Sequence, residues 1–344
     1  MLRPMDDRLR GPLFGLGSAL LFGMGAPIAK LLLPGSGPLA LAGLLYLGAG
    51  AAFLLVPRSR SEAPLRRADL PALAGAVVAG AGLAPPLMLW GLMRVGGLQG
   101  SLLLNLEAPF TMLLAVIFFG EHLSTRETLA AALAIAGGAL VGVRDEAGSS
   151  GSMAGAAAIA LACACWAVDN NLTARISLKD PLQVLRIKSI CAGAANLSLG
   201  LALGERTPFA PWALLLGSVS YGASLLLYLR ALRVLGAARQ AAFFAVAPFA
   251  GAVLAVPLLH EAPRPLDAIG ALLMATGVAL LIRARHSHCH THEPIEHEHE
   301  HVHDEHHRHA HDGAVAEPHS HPHQHEAIAH EHTHASDAHH KHRH

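Results

Sequence analysis

The chain of 344 residues is 52% hydrophobic, has a mean hydropathy of +0.40 and carries charge on only 15% of its residues. These values argue against a water-soluble globular protein. The formal charge of zero hides two unlike regions, because residues 1–285 hold 22 Lys and Arg against 14 Asp and Glu, whereas residues 286–344 hold 3 against 11. A basic apolar body therefore precedes an acidic polar tail.

Apolar runs of about 20 residues, long enough to cross a hydrocarbon core of ~30 Å, recur along the body. Short breaks rich in Gly, Pro and charge separate them. The first run extends from Leu13 to Leu33, longer than the apolar region of a cleaved signal peptide, so it is predicted to be an uncleaved span. The runs predict an all-α membrane protein with ten transmembrane helices, at residues 12–33, 38–57, 70–94, 98–120, 125–143, 153–175, 182–203, 209–234, 237–259 and 265–283.

The body contains a repeated unit. Residues 94–110 match residues 233–249 at an offset of 139, and Gly137 matches Gly277 at an offset of 140. Because each unit has five predicted spans, an odd number, the two units must enter the membrane from opposite sides and form inverted repeats. The predicted domains are a first five-helix repeat, a second five-helix repeat and a disordered tail, at residues 1–146, 147–285 and 286–344.

The orientation follows from the cations that flank the spans. With the N-terminus inside, cytoplasmic segments collect fourteen Lys and Arg, and the opposite face collects four, Arg94, Arg144, Arg206 and Arg264. Basic residues favour the cytoplasmic side. Both termini, and with them the histidine-rich tail, are predicted to be cytoplasmic.

Each unit also has an aromatic residue in its first helix, Phe22 or Trp166, an Ala-Pro-Phe in its fourth helix and a Glu that closes that helix. In this order the residues resemble the EamA-like drug/metabolite transporter superfamily over about residues 1–285. The resemblance implies gradient-driven transport of small molecules, often export, and no enzymatic activity. Two features depart from it: Ala174 stands where the first unit has Lys30, and the family does not imply the tail.

Ionisable side chains deep in a span are costly and mark candidate functional positions. Glu107 lies near the middle of the fourth span, close to Asn105, and its counterpart in the second unit is Val246. Pro109, and Pro248 in the second unit, are predicted to break their helices and to free backbone carbonyls. A carboxylate beside such a break is a candidate substrate or proton site. The alternative is a Glu that only holds helices together.

Three consecutive polar residues, Asp169, Asn170 and Asn171, follow Trp166 in the sixth span. At 100° per residue they sweep a wide arc, so at least one is predicted to face the interior of the bundle. Lys188 and Arg186 in the seventh span are the available cationic partners. The alternative is polarity exposed to water at a helix end.

Other charged positions have simpler predicted roles. Lys30 is expected to extend its side chain along apolar surface to the interface. Glu121-His122 and His260-Glu261 occupy matching helix ends. Both pairs are expected to be interface polarity rather than metal ligands.

The tail holds 23 of the 25 histidines, many at alternate positions. A low-complexity polar segment cannot bury a core, so disorder is predicted. Imidazoles with occasional carboxylate or thiolate suit zinc, nickel, cobalt or copper. A purification tag would be a compact homopolymer, whereas acids interrupt this tract. The candidate metal ligands are His286, His288, Cys289, His290, His292, His297, His299, His301, His303, His319, His321, His323, His325, His330, His332 and His334.

Together these features predict an exporter of a small metabolite in the cell inner membrane, with no required cofactor and a metal-binding tail. Two alternatives stay open. The body itself exports nickel, cobalt or zinc that the tail collects, or the protein is a receptor or scaffold that transports nothing. The expected partners are a small-molecule substrate, the lipid bilayer and metal ions, with no nucleic acid. A homodimer stays open.

Overall fold

The computed structural model describes residues 7–57, 62–119, 123–142, 150–177, 179–283 and four segments of the tail. The first half of the body is helical, with α1 (Asp7–Gly23), α2 (Gly25–Leu32), α3 (Pro38–Leu54), α4 (Leu70–Ala76), α5 (Ala84–Leu92), α6 (Gly97–Leu103), α7 (Glu107–Phe119) and α8 (Thr125–Gly142). The second half has α9 (Ser150–Ala174), α10 (Pro181–Ala202), α11 (Ala210–Leu216), α12 (Ser224–Leu235), α13 (Ala237–Phe244), α14 (Ala247–Leu259) and α15 (Pro265–Arg283).

Eight helical stretches within the described residues are long and apolar enough to cross a bilayer. They are Arg10–Leu32, Arg67–Leu92, Gly97–Phe118, Ser152–Ala174, Pro181–Ala202, Ala210–Leu235, Arg239–Leu259 and Pro265–Ile282. The other two predicted spans are also helical: α3 is a shorter apolar helix, and α8 begins with Thr125, Arg126 and Glu127. The prediction of a helical, integral membrane protein is confirmed.

The two halves pack closely through glycines where α8 contacts α15. A Cβ atom on Gly137 would lie 2.6 Å from the carbonyl oxygen of Gly270, and one on Gly277 would lie 2.7 Å from the carbonyl oxygen of Ala130. Small residues allow helix backbones to approach this closely in a membrane. Gly277 follows Gly137 by 140 residues, and Gly270 follows Ala130 by 140. The contact is therefore made twice, with the roles of the halves exchanged.

The third helical stretch of each half contains one π-helical segment. Val77–Leu83 lies between α4 and α5, and Gly217–Ala223 lies between α11 and α12, again 140 residues apart. Wider turns of this kind are rare and are frequent at functional sites. Each interrupts a 26-residue stretch near its middle.

Two cations in the spans bind the carboxyl ends of neighbouring helices. Lys30 Nζ donates to the carbonyl oxygen of Leu92 at 2.6 Å, at the end of α5, and to that of Val95 just beyond this helix. Arg186 Nε and Nη2 donate to the carbonyl of Phe53 at 3.1 and 2.9 Å, at the end of α3. The last carbonyls of a helix lack intrahelical donors and favour a cation. The extension of Lys30 to the interface stays a prediction, and the structure adds that its ammonium group binds the carbonyls at this helix end.

The described parts of the tail are four strands, β1 (His286–Thr291), β2 (Ile295–His301), β3 (His319–His325) and β4 (Ala329–His334). β1 pairs antiparallel with β4, and β2 pairs antiparallel with β3. At these segments the structure differs from the disorder that composition predicts. Alternation of histidine with other residues has the period of two that an extended strand also has.

Candidate functional site

The fourth helical stretch is broken where the sequence predicts a site. α6 ends at Leu103, a 3₁₀ turn follows over Leu104–Leu106, and α7 begins at Glu107. Pro109 is the third residue of α7, where a backbone N–H has no intrahelical acceptor and a proline costs little. In the second half α14 begins at Ala247, directly before Pro248. Both halves therefore restart a helix at a proline.

Glu107 is half-buried and is connected to α9. Asn170 Nδ2 donates to Glu107 Oε1 at 2.8 Å and to Thr111 Oγ1 at 3.2 Å. Asn171 Nδ2 donates to the backbone carbonyls of Thr111 at 3.0 Å and of Ala167 at 2.9 Å. Two neighbouring amides of α9 thus hold the first turns of α7, and Glu107 and Asn170 meet directly.

Asp169 forms a buried ion pair with Lys188 of α10. Lys188 Nζ lies 2.5 Å from Oδ1 and 2.6 Å from Oδ2 of Asp169, and the two side chains are 13% and 9% exposed respectively. Thr173 Oγ1 also donates to Asp169 Oδ1, at 2.9 Å. Of the two cations predicted as partners, Lys188 lies on Asp169 and Arg186 holds the end of α3 instead.

Asn105 is buried, and its Nδ2 donates to the carbonyl of Leu102 one turn earlier at 3.0 Å. The bond satisfies a carbonyl at the point where α6 ends. The structure therefore places Asn105 in the helix break, whereas Asn170 contacts the Glu107 carboxylate.

The first π-helical segment packs directly on the ion pair. A methyl group on Gly80 would overlap the Asp169 carboxylate. The hydroxyl of Tyr46 in α3 donates to the carbonyl of Gly80 at 3.2 Å. The matching position of the second π segment is Ser220, whose hydroxyl donates to the carbonyl of Leu21 at 2.8 Å and lies where a methyl group on Gly25 would be. Gly25 is the counterpart of Asp169, so the ion pair has no equivalent in the other half.

Aromatic rings continue the site toward α1 and α12. Tyr46 and Tyr221 have ring centroids 5.9 Å apart, and Tyr221 lies edge-on to Phe22 at 5.5 Å. Phe244 lies 5.0 Å from Phe22 and 5.1 Å from Tyr228. Such spacings are favourable for aromatic pairs. The cluster gives the site an apolar, polarisable side.

Sequence reasoning missed Thr111, Tyr46, Gly80 and Tyr221. A usable signal existed for the tyrosines, because the chain has only three Tyr and 5% aromatic residues, and all three Tyr belong to this cluster. Gly80 carried no signal, because nothing in a run of small apolar residues marks the one that faces a carboxylate.

Glu261 has a defined structural partner. Its carboxylate accepts the backbone N–H of Gly97 at 2.6 Å and of Leu98 at 2.8 Å, at the start of α6. An anion at a helix N-terminus satisfies unpaired donors and the helix dipole. Glu261 therefore caps α6, which is a more specific role than the interface polarity that the sequence predicts, and Glu121 and His122 lie outside the described residues.

The predicted metal ligands are distributed over the four strands, except His292 and His303, which lie outside the described residues. Backbone register sets His288 opposite His332 and His299 opposite His321. Among the side chains that the structure describes, no group of three or more His, Cys, Asp or Glu is placed to hold a metal ion.

Comparison with known proteins identifies the body. The profile of the EamA-like transporter family matches residues 9–143 and again residues 153–283. The chain belongs to the EamA-like transporter family. The two matches correspond to two EamA-like repeats, so the resemblance seen in the sequence is confirmed for the body.

One relative of this EamA-like chain is described as an uncharacterized transporter of Methanothermobacter thermautotrophicus. It is 27% identical over 296 residues, which cover 80% of this chain and 86% of the relative. One solved crystal structure superposes with a TM-score of 0.56 at 19% identity, covering 79% of this chain and 96% of the other, and shows a shared fold. The protein is a membrane transporter.

Proposed function

We propose that the protein is a secondary transporter that exports a small organic solute, driven by an ion gradient. Its ten helical stretches form two inverted five-helix repeats in the cell inner membrane, with both termini in the cytoplasm. The support is the double EamA match, the internal offset of 139–140 residues and the distribution of Lys and Arg.

The observation that carries the proposal is the joining of Glu107 and the Asp169–Lys188 pair through consecutive residues of α9. Ionisable groups inside a membrane are retained where they contact solutes, ions or protons. Glu107 accepts a hydrogen bond from the neutral amide of Asn170, whereas the charge of Asp169 is neutralised by Lys188. With all three groups ionised the site has a net charge of −1, which suits a proton or a cationic group.

Glu107 is the proposed coupling residue. Glu107→Gln keeps the size and one acceptor oxygen but cannot titrate. We expect export by the variant to lose its dependence on external pH, while the protein still folds and inserts. Solute efflux from energised vesicles, measured across about pH 6–8, tests this. An unchanged rate and pH profile would contradict the coupling role.

The solute class is tested in cells. Metals and metabolites are compared between cells that make the full chain, a truncation to residues 1–285, and neither. Altered export of an organic solute with unchanged metals supports the proposal. Metal efflux that requires the body supports the alternative, in which the body exports nickel, cobalt or zinc that the tail collects.

We propose in addition that the tail binds transition metals. Histidines alternate in the sequence, and the strand register sets histidine positions opposite each other. Imidazole coordinates metal only when it is neutral, and a free histidine side chain titrates at about pH 6.5. Isothermal titration with zinc is expected to show saturable binding by the full chain at about pH 7.5 that weakens at about pH 5.5. The 1–285 truncation is the control, and equal binding by both chains would refute metal capture by the tail.

A further inference from the structure

A polar cavity lies at the end of the bundle where α6 and α15 begin, which is the outer end in the proposed topology. It has a volume of about 220 Å³. At ~30 Å³ for each water molecule, this space holds about seven waters or one small organic molecule. Its lining residues are Gly96, Leu98, Gln99, Glu261, Ala262, Arg264 and Asp267.

Gln99 is the unusual group in this lining. Its side chain is only 4% exposed, and its Nε2 donates to the carbonyl of Val141 at 2.8 Å. Only the NH₂ group of an amide can donate to a carbonyl, so the bond fixes which atom is Oε1. Among the residues that the structure describes, Oε1 has no hydrogen-bond partner. A buried acceptor without a partner is costly, so this oxygen favours any donor that enters the cavity.

The charged groups of the lining favour a cation. Asp267 accepts from Arg264 Nε at 3.0 Å and from Arg264 Nη2 at 2.5 Å, so these two charges compensate each other. Glu261 accepts backbone N–H groups, which carry no formal charge. Over the lining residues that the structure describes, the formal charge is therefore −1, and the acceptors are carboxylate and amide oxygens.

The inverted repeat shows that these groups belong to one half. The counterpart of Gln99 at an offset of 139 is Ala238, and the counterpart of Arg264 at an offset of 140 is Ser124. Both halves keep an acidic capping residue three positions later, since Glu127 accepts the N–H of Ser124 and Asp267 accepts that of Arg264. The other half forms this helix cap with Ser124 and Ala238 at the matching positions. The cap therefore does not explain why Gln99 and Arg264 are present.

We propose that this cavity is a binding site for the primary ammonium group of a small solute. The N–H groups of the ammonium donate to Gln99 Oε1 and to the free lone pairs of Glu261, and its charge offsets the net charge of the lining. A quaternary ammonium fits the charge but has no N–H to donate. The recognition is thus by hydrogen bonds as well as by charge.

The test uses the full chain in lipid nanodiscs with ethylammonium chloride as the probe, followed by saturation-transfer NMR. All variants carry Glu107→Gln, so that the central carboxylate contributes no charge. We expect saturable binding that tetramethylammonium does not displace. Gln99→Leu is expected to weaken it at least about tenfold, since a hydrogen bond to a charged group contributes ~1.5–3 kcal/mol. Gln99→Glu is expected to strengthen it.

Ser101→Ala is the matched control. Ser101 lies on the same helix and also has a buried oxygen without a partner among the described residues, but it does not line the cavity. Binding is expected to be unchanged. Absence of saturable binding, unchanged affinity in Gln99→Leu, or equal weakening by Ser101→Ala would each overturn the site. Because binding is measured at equilibrium, these outcomes are independent of whether the protein exports a solute.

Discussion

The two π-helical segments occupy matching positions, yet they face different chemistry. In the first half Gly80 lies against the Asp169 carboxylate, and in the second half Ser220 lies against Gly25. Each contact pairs a glycine with a polar side chain. The glycine belongs to the π-helical segment in the first contact and to the facing helix in the second. The two repeats therefore both keep close packing at this position, while only one of them carries a charge there. Function in this fold is therefore sought where the two halves differ.

The largest expected effect comes from leaving Asp169 unpaired. Lys188→Met removes the cation and is expected to lower the free energy of unfolding by about 3–5 kcal/mol, as for other broken buried ion pairs. Combining it with Asp169→Asn should restore most of this loss. Unfolding in mixed detergent micelles, followed by circular dichroism, measures both.

The other half supplies the control for that loss. α3 and α10 both begin at a proline, Pro38 and Pro181, so Leu45 is the counterpart of Lys188. Leu45→Met is close to volume-conserving and is expected to cost less than about 1.5 kcal/mol. Equal losses at Leu45 and Lys188 would show that packing, and not charge, determines stability at this depth.

A smaller effect is expected from filling the space opposite the carboxylate. Gly80→Ala introduces a methyl group that overlaps Asp169, so a loss of about 1–3 kcal/mol is expected. In an Asp169→Gly background the same change should cost much less, because the Cβ atom of residue 169 would itself lie only 2.4 Å from the added methyl group. Gly25→Ala with and without Ser220→Ala gives the mirrored cycle. A cost of Gly80→Ala that does not depend on residue 169 would show that the Asp169 side chain does not limit the space at Gly80.

The smallest effect is expected at Glu261. Glu261→Gln keeps one oxygen acceptor for the two N–H groups at the start of α6, so the loss is expected to be about 1 kcal/mol. Glu205→Gln is the matched change, because that carboxylate accepts one N–H, from Ala40 of α3 at 2.8 Å. Thermal unfolding in detergent measures the loss of stability in both variants. A larger loss for Glu205→Gln would contradict the idea that the loss grows with the number of N–H groups that the carboxylate accepts.

The sequence predicted those parts of the molecule that depend on hydropathy and repetition. The apolar runs correspond to helical stretches, and the offset of Gly137 and Gly277 appears as a repeated contact. The partners of individual side chains were less accessible. Lys188 and Arg186 are two residues apart on one helix, and only the positions of α3 and α9 decide which of them meets Asp169.

The π-helical segments had no usable signal, because a one-residue widening of a helix leaves the hydrophobic pattern nearly unchanged. Glu261 was assigned to the interface because its acceptor role depends on Gly97, 164 residues earlier in the chain. Contacts of this length cannot be read from local periodicity.

The doubled glycine contact between α8 and α15 has a consequence for how the chain can be divided. Each half contributes one glycine and one carbonyl to the α8–α15 interface, so neither half can form this interface by itself. Two separate polypeptides, cut between α8 and α9, would each expose a surface that only the other one completes. Co-expressed fragments are therefore expected to reassemble into a working carrier, with Gly137 and Gly277 as the positions where a bulky residue prevents their association.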